Sequence, residues 1–353
     1  MEEKLSESRE ILGRLKEKRV GKNVASASPD VSVIIPAYNI AGFVRETLDS
    51  VFAQTFKDFE VVIVDDGSDD AAELRLQLEP YIDDIVFASQ SNAGAAKTRN
   101  LAIVLARGRL IAFLDGDDIW HPDYLESQVN YLESNQLDMV YCDAELFGER
   151  LFGDETYMKS APSVGRVTPV SLINASCNVI TSGTVVKQNA LKKYGLFDQD
   201  FRRAQDFDLW FRLAKNGIRI GYQLDALLKY RVSSSSLSGS NVQRSQRNVR
   251  VLKRIGQKYS LTNRELGVWR SQIVLSEAEL ELERGKFELT RENFPEAIEH
   301  FRKANKYYRK WRLTIMKLLL KVFPKLAVKL FKVWRPGEFS FISGDQESKY
   351  HLS

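Results

Sequence analysis

Only two of the 353 residues are cysteine, Cys142 and Cys177, and only three are histidine, His121, His300 and His351. So few thiols exclude a disulfide framework or a cysteine-rich metal site. They fit a reducing compartment. No run of about 18 uncharged apolar residues occurs, so no transmembrane helix is expected. The first twenty residues, MEEKLSESREILGRLKEKRV, mix both charges without an apolar run and do not read as a secretory signal. GxGxxG is absent, which counts against a dinucleotide-binding enzyme. Asp and Glu are absent between Arg302 and Arg335.

What is present is ordinary in bulk. At 44% hydrophobic and 28% charged residues the chain can build a core. The net charge of +4 hides an asymmetry. Twelve of the 51 basic residues lie between Arg302 and Arg335, leaving 39 basic against 47 acidic residues elsewhere. An acidic body with a basic tail points to an anionic surface as the tail's partner.

Residues 1–29 read as a charged helix and a linker. Apolar runs then alternate with helical patterns. VSVII (31–35), stopped by Pro36, FEVVIVDD (59–66), DIVFAS (84–89) and RLIAFLD (109–115) read as strands. Near-continuous apolar strands between helices imply a mostly parallel sheet covered on both faces. Ligands bind such sheets outside the carboxyl ends of the strands. Polar residues gather there: Asn39, Asp65 and Asp66, Asn92 to Arg99, and Asp115 to Asp118. Further on, LDMVYCDAELF (137–147) reads as a strand, 148–170 as irregular, 179–198 as a strand and short helix, and 206–217 as a helix stopped by Gly217. An α/β domain over 30–240 and a helical C-terminal extension over 241–353 are expected.

Several stretches carry possible chemistry. DGDD offers hard oxygen ligands suited to Mg²⁺ or Mn²⁺ held jointly with a diphosphate. It equally reads as a solvated turn capping the next helix. VDDGSDD supplies carboxylates for a base or ribose, or is an Asp-rich turn. NAGAAKTRN places small residues before a helix that carries Lys97 and Arg99, an anion site by helix N-terminus and charge. AQDFDLW holds Asp206 and Asp208. One can face the crevice as a general base, or Asp206 can cap its helix.

In order, VSVIIPAYN, FEVVIVDDGSDD, NAGAAKTRN, FLDGDD, the segment from TSGTVVKQ to AQDFDLWFRLA, and YRVSSSSLS resemble the family 2 inverting glycosyltransferases of the GT-A fold, of the bacterial surface-glycan type. The resemblance runs from about Val31 to Ser240. It implies a GT-A sheet flanked by helices, a nucleotide-sugar donor, usually UDP-linked, and a divalent metal, Mn²⁺ or Mg²⁺. It implies donor contacts from Pro36, Ala37, Tyr38, Asn39, Asp65, Asp66, Asn92, Gly94, Arg99, Asp115 and Gly116. Asp66 would contact the base, Asp115 lie near the ribose and Arg99 near the diphosphate. Asp117 would be the metal ligand and Asp206 the base that deprotonates the acceptor hydroxyl, with Gln205 and Trp210 on the acceptor side. The acceptor would be a glycan or lipid-linked glycan. Two positions depart from the family pattern. Gln205 stands where Glu is frequent, and Ser233 stands where a His often follows Tyr-Arg-Val, which would weaken the grip on the metal.

In the tail, Lys317, Lys321, Lys325 and Lys329 recur every fourth residue among apolar ones, with Trp311 and Trp334 near the ends. As a helix kinked at Pro324 this gives a lysine stripe and a broad apolar face, suited to an anionic membrane interface over residues 302–335. The other reading packs the helix on the protein's own core with its lysines solvated. No nucleic-acid module accompanies the tail. The expectation is a cytoplasmic enzyme, peripheral on the inner face of the cell membrane. The alternatives are a catalytically silent GT-A subunit in glycan assembly and a nucleotidyltransferase.

Overall fold

The computed structural model describes residues 8–24, 28–148, 156–200, 204–232, 241–326 and 328. Nine strands form one sheet: β1 (Leu15–Val20), β2 (Val31–Ala37), β3 (Phe59–Asp65), β4 (Ile85–Gln90), β5 (Leu110–Phe113), β6 (Ile119–Trp120), β7 (Met139–Gly148), β8 (Thr184–Lys187) and β9 (Ile220–Val232). Their order is β1-β4-β3-β2-β5-β8-β7-β9-β6. β4, β3, β2 and β5 run parallel, as do β7 and β9. β1, β8 and β6 pair antiparallel with their neighbours.

The alternation of the central strands explains why they read as apolar throughout. Val31, Val33 and Ile35 of β2 and Val61 and Ile63 of β3 enter one core with Leu48, Leu74 and Leu125 from flanking helices. Their neighbours Ile34, Val62 and Val64 are equally inaccessible on the other face. A sheet buried on both sides needs apolar residues at both parities.

Four local expectations change. Pro36 does not stop β2, which pairs with β3 as far as Ala37 and Asp65. The ladder to β5 ends at Ile34 and Phe113. The Pro36 carbonyl faces Gly116, so the missing N–H falls on the side where β5 has already ended. Residues 15–20, expected as part of a helix, form β1 against β4. LKEKRV has no apolar alternation, and its backbone completes the otherwise open edge of β4. The 13-residue β9 had no counterpart among the expected strands. A short helix, Tyr157–Ser160, lies within the stretch expected to be irregular, and another, Pro169–Ile173, begins at its end.

The chain forms two compact units, Met1–Ser236 and Leu237–Ser353. The second is helical: Asn241–Lys258, Asn263–Thr290, Phe294–Tyr308 and Trp311–Val322. Leu289, Ala297, Phe301 and Leu320 form its small core. The hairpin between the second and third of these helices closes tightly at Gly285, where a Cβ would stand 2.7 Å from the Phe301 ring.

Candidate active site

Four loops leave the carboxyl ends of β2, β3, β4 and β5, and the polar residues expected there are in them. After β2, Asn39 adopts a left-handed φ of 54°. Its N–H donates to Ser68 Oγ (3.1 Å), and its Oδ1 accepts from the Asp69 N–H (2.8 Å). The first two loops are thereby joined. Tyr38 beside it is exposed.

The two aspartates after β3 are used internally. Asp65 Oδ1 accepts from Ser68 N (3.0 Å) and Ser68 Oγ (2.6 Å), closing the turn. Asp66 is buried. Its oxygens accept from Gln90 Nε2 (2.6 Å), Ala93 N (2.9 Å) and Gly94 N (2.8 Å). Most of its acceptor capacity is therefore taken within the protein. The anion at the entrance of helix Ala95–Leu105 is Asp66 itself, which gives that helix N-terminus a partner already in place. Asp66 thus shapes the Asn92–Gly94 loop. Gly67 makes this possible. Its φ is 68°, and a Cβ would lie 2.7 Å from the Asn92 nitrogen.

DGDD is different. The Asp118 N–H donates to the Asp115 carbonyl (3.1 Å), so the four residues form a tight turn. Gly116 packs where a Cβ would meet Ile40 Cδ1 at 2.2 Å. Asp115 forms an ion pair with the buried Arg99. The Arg99 guanidinium also lies 5.7 Å above the Phe197 ring. Among the described residues, no donor other than its own backbone reaches the Asp117 carboxylate. Burial, and then the charge of Asp115, push its pKa up to about 6. Asp118 is 1% exposed, and burial with the charges of Asp115 and Asp117 pushes it well above the carboxylate range. Its Oδ1 accepts from the Arg231 N–H (2.8 Å). Asp118 does not fit the solvated-turn reading.

Arg231 closes the turn from the β9 side. Its Nε donates to the Asp117 carbonyl (2.8 Å), and its Nη2 pairs with Glu46 (2.7 Å). The guanidinium lies 4.8 Å from the Phe43 ring centre and 4.4 Å from that of Phe147. Neighbouring Tyr230 is held far above the usual phenol range by burial and then by Asp118 and Asp115.

Asp206 lies in the first turn of helix Gln205–Lys215 without capping it. The cap position is Ala204, left-handed at φ 64°, and carries no side-chain bond. Asp206 Oδ1 accepts from the Phe207 N–H (2.9 Å), and Oδ2 has a long contact of 3.4 Å from Thr181 Oγ1. Next to Thr181, Ser182 Oγ accepts from the Asp115 N–H (3.1 Å). Two adjacent residues of one 3-10 turn, Thr181–Gly183, therefore touch both the DGDD loop and the candidate base. Tyr157 completes the link. Burial, then Asp206 and Asp143, raise its pKa to about 12, and its ring lies 6.3 Å from that of Tyr230.

The two candidate acceptor-side residues are both largely buried. Trp210 is 2% exposed and packs edge-on against Phe113 and Phe197 at about 6 Å, so it belongs to the core beneath the site. Gln205 is nearly buried, and its Oε1 has no hydrogen-bond partner among the described residues. Ser233 lies outside the described residues. Thr181, Ser182, Tyr157, Tyr230 and Arg231 are site residues that the sequence reading did not single out. All but Tyr157 lie inside stretches that carried the resemblance, but nothing in their local spacing marks them.

Among the described residues no three carboxylates, imidazoles or thiolates are grouped to hold a cation by themselves. The donors present, Asp117 and the partly exposed Asp115, suit a cation shared with a ligand's phosphate oxygens.

The model of glycosyl transferase family 2 matches residues 32–194. An uncharacterized glycosyltransferase of Rickettsia typhi is 31% identical over 223 residues, 60% of this chain and 67% of that protein. WfaP of Escherichia coli, a UDP-Glc:alpha-D-GlcNAc-diphosphoundecaprenol beta-1,3-glucosyltransferase, is 30% identical over 232 residues, 65% of this chain and 87% of that protein. The chain belongs to glycosyl transferase family 2. Among solved structures, mannosyltransferase PcManGT from Pyrobaculum calidifontis, in complex with GDP-Man and Mn²⁺, superposes with a TM-score of 0.59 at 19% identity, covering 94% of each chain. The fold is GT-A, as the resemblance implied, and the family 2 protein is a glycosyltransferase that uses a nucleotide-sugar donor.

Proposed function

We propose that this protein is a metal-dependent, inverting glycosyltransferase that moves a sugar from a UDP-linked donor to a hydroxyl of a glycan or lipid-linked glycan. One observation carries the reading: the Thr181–Ser182 pair touches both the backbone of the DGDD turn, at the Asp115 N–H, and the Asp206 carboxylate, which brings a charge-hungry turn beside a candidate base. The UDP donor and lipid-linked acceptor are supported by the name of the relative WfaP, and the metal by the Mn²⁺ in the PcManGT complex.

Asp117 and Asp115 are the residues that would hold a divalent cation. When bound, such a cation supplies the positive charge that offsets negative charge developing on a departing diphosphate. Asp206 accepts the proton of the acceptor hydroxyl. The hydroxyl oxygen forms the new bond at the anomeric carbon as the bond to the nucleoside diphosphate breaks on the opposite face, inverting the configuration. Arg99, anchored on Asp115 and Phe197, lies beside the diphosphate position, and Asp66 holds the Asn92–Gly94 loop that covers the donor. Pro36, Ala37, Tyr38, Asn39, Asp65 and Gly116 form the remaining donor side, and Gln205 faces the acceptor. We place the enzyme in the cytoplasm, at the inner face of the cell membrane where a lipid-linked acceptor is reached.

The test is Asp206→Asn. Transfer is expected to fall by about 10²–10⁴-fold while UDP affinity stays within about twofold. Full turnover in the variant removes Asp206 from the base role.

A further inference from the structure

Helix Trp311–Val322 is apolar on two opposite sides. One side, Leu313, Met316 and Leu320, packs against the helical unit's own core. The other carries Trp311, Ile315, Leu318 and Val322, which are 67%, 44%, 58% and 64% exposed. At about 100° per residue these four fall within about 60° of one another around the axis. Past the helix end, Phe323 and Leu326 are also exposed. The packing reading of the tail therefore accounts for one face and leaves the second without a partner among the described residues of this unit.

The flanks of the second face are cationic. Lys321 and Lys325 are exposed, and so are Arg309, Lys310 and Arg312 at the other end. No acidic residue occurs from Arg302 to Arg335. An acidic protein partner would satisfy the charges but not a row of four large apolar side chains. A second copy of the helix would satisfy the apolar row but bring like charges together. An anionic bilayer surface satisfies both, because its headgroups meet the cations and its acyl boundary takes the apolar stripe. The described helices include none long and apolar enough to cross a membrane.

We infer that the exposed face of helix Trp311–Val322 is an interfacial docking surface for anionic lipid, inserting Trp311, Ile315, Leu318 and Val322 with Lys321 and Lys325 at the headgroups. Docking supplies the contact that a location at the inner membrane face requires. It is independent of the transfer chemistry, so its test and the Asp206 test fail separately.

The experiment is cosedimentation of the full chain with vesicles of equal parts phosphatidylglycerol and phosphatidylcholine, and with phosphatidylcholine alone. Wild type is expected to pellet with the anionic vesicles, less so as salt rises, and to stay in solution with the neutral ones. The pair Leu318→Ser and Val322→Ser should lower partitioning by about tenfold or more. The pair Lys321→Glu and Lys325→Glu should lower it by about fivefold per charge. Thermal unfolding checks that each variant keeps the fold, as exposed positions should. Absence of wild-type binding, or unchanged partitioning in the folded serine variants, overturns the inference. So does a wild-type oligomer that the serine variants dissolve with no effect on vesicle binding.

Discussion

Two aspartate-rich turns leave the same edge of the sheet, VDDGSDD after β3 and LDGDD after β5, on either side of β2. In the first, Asp65 and Asp66 receive five hydrogen bonds from Ser68, Gln90, Ala93 and Gly94, and their charge holds the turn together. In the second, Asp117 and Asp118 are pushed up by burial and by each other's neighbours. The first turn is complete as a piece of folded protein. The second costs free energy unless a cation arrives. Identical residue types thus divide into a scaffold and a site according to how many N–H donors the local backbone turns toward them.

The sharpest way to break this comparison is Asp66→Ala. It leaves the Gln90, Ala93 and Gly94 donors without their acceptor in a buried place and should cost about 3 kcal/mol. Chemical denaturation measures it, and a loss under about 0.5 kcal/mol would mean that the turn does not depend on its aspartate.

The second turn should respond with the opposite sign. Asp117 has a folded-state pKa of about 6, raised above the unfolded value. Its protonated form is favoured by folding, so its stabilising contribution is full below about pH 4 and is lost as pH rises through about 6. Asp117→Asn should therefore stabilise the metal-free protein by about 1–2 kcal/mol at pH 8, with the gain vanishing toward pH 4. Melting curves of both proteins across that range read the effect. Destabilisation at pH 8 would contradict it.

The smallest expected effect is at the hinge between the turn and the base. Ser182→Ala removes an acceptor from the Asp115 N–H. It should cost about 1 kcal/mol of stability and lower transfer more than it lowers UDP affinity. Equal losses in both would assign Ser182 to the donor alone.

How much of this was legible follows the chemistry of each signal. The central strands, buried on both faces, had to be apolar at every position, so β2 to β5 could be read. β1 could not, because LKEKRV is held by backbone pairing to an edge and exposes most of its side chains. The DGDD loop stood out because four positions hold three aspartates. Its solvated and ligand-holding readings could be separated only by burial. Asp206 was visible as a carboxylate, but spacing could not show that Ala204, and not Asp206, occupies the cap position. The resemblance puts Trp210 on the acceptor side, and spacing could not show that its ring is buried in the core. Thr181, Ser182 and Arg231 act through contacts 25 to 114 residues distant in the chain. Local periodicity carries no trace of such contacts.

The most direct test of the claim that the DGDD aspartates hold a metal and its diphosphate is calorimetric titration with UDP, with GDP as control. It is run with and without Mn²⁺, on wild type and on Asp117→Ala. The expected result is UDP binding that requires Mn²⁺ and disappears in the variant. UDP binding of equal strength without Mn²⁺, or undiminished in Asp117→Ala, would contradict it.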